Sequence, residues 1–375
     1  MTVRILTGDC RDVLRTLPDE SVHCVVTSPP YWGLRDYGVT GQIGLETDYR
    51  EFVAEMVAVF EDVRRVTRAD GTLWLNLGDS YASQGGPGWQ GKNGQRADRR
   101  FTAVRDTVGL RAVSRDVQCG LKPKDLCGIP WRVAFALQDA GWWLRQDIIW
   151  SKPNPMPESV TDRCTKAHEY LFLLAKSERY YFDQAAILEP CSPNTHARLS
   201  QDVQAQIGSE RVPGKTNGNM KAVARRGGGN RTHKGTEAYE AGAREHRTKA
   251  GLIAFSEKQR KLAEAGSGIK NNTSMDEALA IMPVERNKRS VWTVTTQPFN
   301  EAHFATFPPA LIEPCILAGS PRGGVVLDPF GGAGTTGLVA DRLGRDAILI
   351  ELNPQYADMA RRRITKDAPL LAEVS

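Results

Sequence analysis

Residues 325–351 restrict this chain more than any other stretch. Val325-Val326-Leu327 is a short apolar run of the kind buried in a parallel sheet, and it ends at Asp328-Pro329-Phe330-Gly331-Gly332-Ala333-Gly334. Thr335-Thr336 then opens a helix with Leu338, Val339 and Leu343 on one face. A second apolar run, Ala347 to Ile350, finishes in Glu351, 23 residues beyond Asp328. Glycines allow a sharp turn and let a ligand approach main-chain atoms. A carboxylate at the tip of the second strand is placed to accept hydrogen bonds from both ribose hydroxyls of a nucleoside. Strand, glycine turn, helix, strand and terminal acid in register predict a nucleoside-cofactor site.

The residues also narrow the cofactor. A P-loop needs Gly-Lys-Ser/Thr, which is missing here. A nicotinamide site prefers G-x-G-x-x-G with a pyrophosphate resting on the helix N-terminus. Asp328 before the glycines would repel a pyrophosphate and welcome an amino group, such as that of the methionine part of S-adenosylmethionine. The sequence therefore favours S-adenosyl-L-methionine.

The same alternation of strand and helix governs the N-terminal part. Strands are expected at Val3–Leu6, Val22–Val26 and Thr72–Leu77, with a short helix through Val13, Leu14 and Leu17. Phe52, Val53, Met56, Val57, Phe60 and Val63 keep helical spacing between Tyr49 and Val66. Residues 84–121 lose periodicity. A helix (Pro130–Ala140) and strands (Trp143–Trp150, Glu169–Ala175) follow, and strand–helix alternation resumes from Trp292 to about Ile364. Such a pattern on both sides of an irregular insertion predicts a parallel-rich α/β sheet, assembled from the two ends of the chain.

Charge marks the insertion. The chain of 375 residues carries a net +5, yet the stretch Arg198–Arg289 alone holds 18 Lys or Arg against 10 Asp or Glu. A mildly acidic body with one basic segment fits either docking on a polyanion or a solvated flexible insertion. Seven cysteines without a C-x-x-C pair suit reduced thiols, not a disulfide framework or zinc site. No metal is expected. The absence of a membrane-length apolar run or a signal-peptide pattern predicts a soluble, cytoplasmic protein.

A second constellation closes the strand 22–26: Thr27-Ser28-Pro29-Pro30-Tyr31-Trp32. Proline fixes φ, so the Pro29 carbonyl is held in one direction, where it can accept from an exocyclic amine. Ser28 Oγ can accept the amine's other hydrogen, and Tyr31 offers a flat surface on which a displaced base can stack. An aromatic amine is a poor nucleophile, because its lone pair is delocalised into the ring. Two acceptors gripping its hydrogens can turn that lone pair toward a methyl sulfonium, so alignment is the main demand.

With both constellations in view, the chain resembles the amino-methylating DNA methyltransferases of the permuted, beta arrangement, in which the catalytic motif precedes the cofactor motif. Ser28-Pro29-Pro30-Tyr31-Trp32 is similar to the family's S-P-P-Y-W, and Asp328-Pro329-Phe330-x-Gly332-x-Gly334-Thr335 to its D-P-F-x-G-x-G-T. Gly71–Asp79 and Trp150–Asn154 look like further core segments. The likeness spans about 1–183 and 289–364. It implies a circularly permuted class I S-adenosylmethionine-dependent methyltransferase fold, a Rossmann-like mixed sheet with an inserted target-recognition lobe at 184–288 and a tail at 365–375. Ser28, Pro29, Pro30 and Tyr31 would be catalytic. Asp9 of the Gly8-Asp9 turn would reach the cofactor adenine. His303, Ala305 and Phe307, in the segment His303-Phe304-Ala305-Thr306-Phe307-Pro308, would pack on its methionine end. Asp328, Phe330, Gly331, Gly332, Gly334, Thr335, Thr336 and Glu351 complete the expected cofactor set.

The resemblance further implies double-stranded DNA as partner and base flipping. A cognate restriction endonuclease and a second copy of the chain are the other partners to look for. Basic residues Lys92, Arg96, Arg99, Arg100 and Arg105 would make a second DNA-facing loop, or simply a solvated one. Family members with serine at the position of Ser28 mostly methylate cytosine N4, whereas aspartate there mostly marks adenine N6. Cytosine N4 is therefore the expected target, with adenine N6 the alternative. A nicotinamide-dependent oxidoreductase would leave Ser28–Tyr31 and the basic segment unexplained. A non-catalytic DNA-binding scaffold, or methyl transfer to RNA or a protein amide, stays open at this stage.

Overall fold

The computed structural model describes residues 1–34, 38–82, 120–191, 285–297, 306–367 and the short strand Glu373–Val374. By internal contacts the chain divides into two units, 1–188 with 287–375, and 189–286. The sequence alone sets that division at 184 and 288. In the second unit the described residues include an antiparallel pair, β6 (Glu189–Pro190) and β7 (Glu285–Arg286). The loop 84–119, the basic segment 192–284, His303 and Ala305 lie outside the described residues.

The first unit holds a nine-stranded sheet. Its strands are β1 (Thr2–Thr7), β2 (Val22–Thr27), β3 (Thr67–Leu77), β4 (Trp143–Ser151), β5 (His168–Ala175), β8 (Val291–Thr293), β9 (Val325–Asp328), β10 (Asp346–Glu351) and β11 (Glu373–Val374). They lie in the order β11-β1-β10-β9-β2-β3-β5-β4-β8. All neighbours are parallel except β5, which runs against both β3 and β4. The fold is thus a mixed, mostly parallel α/β sheet of Rossmann-like type, as the sequence resemblance implies.

Alternation along the strands feeds two cores. Leu73, Leu75 and Leu77 of β3 face one side with α1 (Cys10–Thr16), α2 (Tyr49–Val66) and α3 (Ile129–Asp139), where Phe52, Met56, Phe60 and Leu137 are fully buried. Trp74, Val326 and Leu349 face the other side with α4 (Pro309–Gly319), α5 (Thr335–Arg342) and α6 (Pro354–Asp367). Three layers bury both faces of the sheet, which is why its central strands read as near-continuous apolar runs.

Three elements differ from the sequence expectation. β3 starts at Thr67 instead of Thr72, because Thr67 pairs with Val22 and a register irregularity absorbs Ala69-Asp70-Gly71 before Thr72 pairs with Cys24. Helix α6 continues past Ile364 to Asp367, whose carboxylate accepts two hydrogen bonds from Arg342 at the end of α5. The segment 365–375, expected as a tail, also supplies β11 at the sheet edge. Among the described residues no helix is long and apolar enough to cross a membrane.

In a parallel sheet all carboxyl ends share one edge. Here that edge collects Gly8-Asp9 after β1, Ser28 after β2, Gly78 after β3, Pro329 after β9 and Glu351 ending β10. Ligands of open α/β sheets bind beyond such an edge, where connections diverge to opposite faces.

Candidate active site

The two constellations meet. β2 and β9 are neighbours, with Cys24 opposite Val326 and Val25 opposite Leu327, so the loops leaving them emerge side by side. Thr27 Oγ1 donates to Asp328 Oδ1 at 2.6 Å across 301 residues of sequence. The same oxygen accepts the Phe330 N–H at 3.0 Å, and Oδ2 accepts the Thr336 hydroxyl at 2.7 Å. Asp328 is 1% exposed, and burial pushes its carboxyl up to about 6 although these donors pull it down. Its oxygens tie the strand ends to the glycine turn and to α5. These contacts give Asp328 a structural role beside the one expected from sequence, a partner for an amino group.

A cavity opens above this tie. Its walls include the expected residues Asp9, Ser28, Pro29, Pro30, Tyr31, Phe307, Asp328, Phe330, Gly331, Gly332, Thr335 and Glu351. Gly334 and Thr336 are not among the wall residues. Gly334 precedes α5 in the left-handed region (φ 76°), and a Cβ there would come within 2.8 Å of the Ala360 side chain. Only glycine allows the turn and the helix contact together. Thr336 is fully buried beneath the cavity, where its hydroxyl meets Asp328.

Glu351 stands at the end of β10. Its Oε2 accepts the Gly332 N–H at 2.7 Å and its Oε1 the Asn353 N–H at 2.8 Å, and burial raises its carboxyl. Each oxygen keeps a further lone pair for a ligand hydroxyl. Asp9 is differently engaged. Its carboxylate caps α1 and receives the Arg11 backbone N–H, Nε and Nη2, and that guanidinium holds it below the usual carboxylate range. Arg11 also donates to the Gly41 carbonyl at 2.9 Å and pairs with Glu55. It thereby fastens the loop containing Val39, Gln42 and Ile43, which forms a wall of the cavity.

That loop was not singled out from sequence, nor were Asn353 and Tyr356, which also line the cavity. The glycines at 38, 41 and 44, all with positive φ, were the available signal for a shaped loop. Among the described residues no group of three or more His, Cys, Asp or Glu is arranged to hold a metal ion.

A family model described as DNA methylase, of the N6/N4 type, matches residues 22–362. The chain belongs to that family. It is a DNA methyltransferase, and DNA is its substrate. It is 40% identical over 360 residues to the type II methyltransferase M.Cfr9I of Citrobacter freundii, covering 96% of this chain and 87% of the relative. It is 39% identical to the type II methyltransferase M.SmaI of Serratia marcescens, covering 97% of this chain and 91% of the relative. Among solved structures, PvuII DNA methyltransferase (cytosine-N4-specific) aligns with a TM-score of 0.52 at 16% identity, covering 98% and 92% of the two chains. A putative DNA modification methylase of Thermus thermophilus, complexed with S-adenosyl-L-methionine, aligns at 0.50 and 21% identity, covering 100% and 99%. At these identities the two structures speak for the fold.

The Asp328 tie has a pH signature. A carboxyl whose folded pKa is about 6, against an ordinary 3.8, is more protonated in the fold than in the unfolded chain. Its stabilising contribution is full below about pH 4 and is lost as pH rises through about 6. In urea unfolding at pH 4.5 and 7.5, the wild type should lose about 2 kcal/mol relative to Asp328→Asn on going to the higher pH. A difference that stays constant across that range would remove the buried acid from the account.

Proposed function

We propose that this methyltransferase transfers a methyl group from S-adenosyl-L-methionine to the exocyclic N4 of cytosine in a base flipped out of double-stranded DNA. The observation that carries the reading is the meeting of Ser28–Tyr31 with Phe330–Gly332 and Glu351 in one cavity, although the two stretches lie about three hundred residues apart. That order, catalytic segment first and glycine turn second, is what supports the beta, circularly permuted arrangement. The chain's serine at position 28 supports cytosine over adenine.

The wall chemistry fits the cofactor. Glu351 would hold the ribose hydroxyls, the Gly331–Gly332 turn admits close approach of main chain, and Phe307, Phe330 and Tyr356 supply apolar surface. His303 and Ala305 are assigned to its methionine end by resemblance. When bound, S-adenosylmethionine supplies a methyl group on a positively charged sulfur.

The chain's own residues present the base. Ser28 Oγ and the Pro29 carbonyl accept the two amine hydrogens, which draws the nitrogen lone pair out of conjugation. Pro29 and Pro30 hold that geometry with fixed φ, and Tyr31 faces the cavity beside them. A neutral hydroxyl suffices because the methyl donor is already activated.

Residues 184–288 are proposed as the target-recognition lobe. Their excess of Lys and Arg supplies phosphate contacts and salt dependence, while a few side chains read base edges. The relatives M.Cfr9I and M.SmaI are named type II methyltransferases, which supports a restriction endonuclease acting beside this enzyme.

Two measurements test the assignment. Nucleosides from DNA incubated with the enzyme and cofactor should contain N4-methyldeoxycytidine by mass, and N6-methyldeoxyadenosine alone would overturn the cytosine reading. Glu351→Ala should weaken S-adenosylmethionine by about 1.5–3 kcal/mol in calorimetry, the worth of hydrogen bonds to a charged group. Unchanged affinity would show that the ribose is held elsewhere.

A further inference from the structure

A chain of polar side chains runs from the proposed base-binding residues to the far side of the sheet edge. Ser28 Oγ donates to the Tyr31 hydroxyl oxygen at 3.4 Å, and Tyr31 O–H donates to Glu169 Oε2 at 2.8 Å. Glu169 lies next to the first residue of β5. Because β5 is antiparallel to β3, with Leu77 opposite Tyr170, it starts at the edge where the other strands end. Lys152, just beyond β4, holds the other carboxylate oxygen, while its ammonium sits 4.2 Å from the Trp150 ring centre. Both side chains of this pair are largely buried, at 18% and 16% exposure.

Asn76 fixes the same polarity. Its amide nitrogen donates to the Tyr170 carbonyl at 3.1 Å and to Glu169 Oε2 at 3.3 Å, so its amide oxygen faces the Tyr31 hydroxyl at 3.3 Å. The Tyr31 hydroxyl therefore meets two acceptors on one side, Glu169 and Asn76. One hydroxyl hydrogen cannot serve Ser28 as well. Gly78 keeps the ring in place, since a Cβ there would lie 2.5 Å from Tyr31 Cε2.

We infer that Glu169, oriented by Lys152, is a positioning residue that sets the direction of the hydrogen bonds through Tyr31, so that Ser28 spends its proton on Tyr31 and offers only lone pairs to the base. A serine hydroxyl left to itself both donates and accepts, and would receive an amine or a carbonyl. With its proton committed, Ser28 accepts an exocyclic amine and rejects a carbonyl oxygen, which would face it lone pair to lone pair. Glu169 thus selects an amino-bearing base without touching it. The inference rests on the reading of Ser28 as the residue that meets the target amine.

The test compares binding, so it does not need turnover. The modified site is first located by modification-sensitive sequencing. Two duplexes are then made, one with cytosine at the target and one with uracil, whose O4 replaces the amine, and each is titrated in the presence of S-adenosylhomocysteine. Comparing the cytosine-to-uracil affinity ratio between proteins cancels the effect of the mismatch. Glu169→Gln, whose amide can donate to Tyr31, and Tyr31→Phe, which cuts the chain by one oxygen, should each shift that ratio about tenfold toward uracil. The double variant should shift it no further, because the residues act in series. A ratio unmoved in both single variants, or additive shifts in the double, would overturn the inference. Should the wild-type product prove to be N6-methyladenine, the duplex pair becomes adenine and hypoxanthine. Product mass then decides the cytosine reading, and the affinity ratio alone decides the role of Glu169.

Discussion

The hydrogen bond from Thr27 to Asp328 is the contact on which the rest of this site depends. It joins the last residue of β2 to the last residue of β9, and each of those residues starts one of the two loops that meet in the cavity. The same carboxylate holds the amide of Phe330 in the glycine turn and the hydroxyl of Thr336 in α5. One side chain thus sets the distance between Ser28–Tyr31 and the glycine turn, the two segments proposed to hold base and cofactor. In methyl transfer alignment is most of the demand, and a misplacement of an ångström can cost about a hundredfold in rate. A buried, hydrogen-bonded polar cluster is a stiff way to hold that alignment.

The sheet order makes this contact inevitable. β2 and β9 pair in register at the middle of a nine-stranded sheet, where neighbouring strands come from opposite ends of the chain. The helices after β1 and β2 cover one face, and those before and after β9 cover the other, so a crevice opens where they part. The reversed direction of β5 adds a second layer. It delivers the start of a strand, with Glu169, to an edge otherwise built from strand ends, and puts it within reach of Tyr31.

Periodicity made the sheet legible from sequence, because burial on both faces or one leaves a plain signature. Tyr49–Val66 is helical over the whole span its apolar spacing marks, and Val325–Glu351 folds as strand, turn, helix and strand. What sequence could not show is how acids are partnered. Asp9, read as reaching toward a ligand, is held by an arginine two residues on, since the α1 cap brings that guanidinium back onto it. Asp328, read as welcoming an ammonium, faces hydroxyls contributed by residues 27 and 336, and the first of these neighbours exists only once β2 and β9 have paired. Glu169 reads from sequence as the first residue of a strand, because its meaning depends on which strands flank β5 and in which direction it runs.

Asp328 and Glu169 show two ways of keeping a carboxyl out of water. Among the described residues the hydrogen-bond partners of Asp328 are all neutral, two hydroxyls and an amide, so burial wins and its carboxyl rises toward neutrality. Glu169 is paired with Lys152. Its oxygens accept from Lys152, Tyr31 and Asn76, which is what a chain of hydroxyls needs at its end if every proton in it is to point the same way. The difference follows from the neighbouring strands: Lys152 lies just beyond β4, which pairs with β5, while β9 lies between β10 and β2, where Leu349 stands opposite Asp328 and neither strand carries a lysine or arginine.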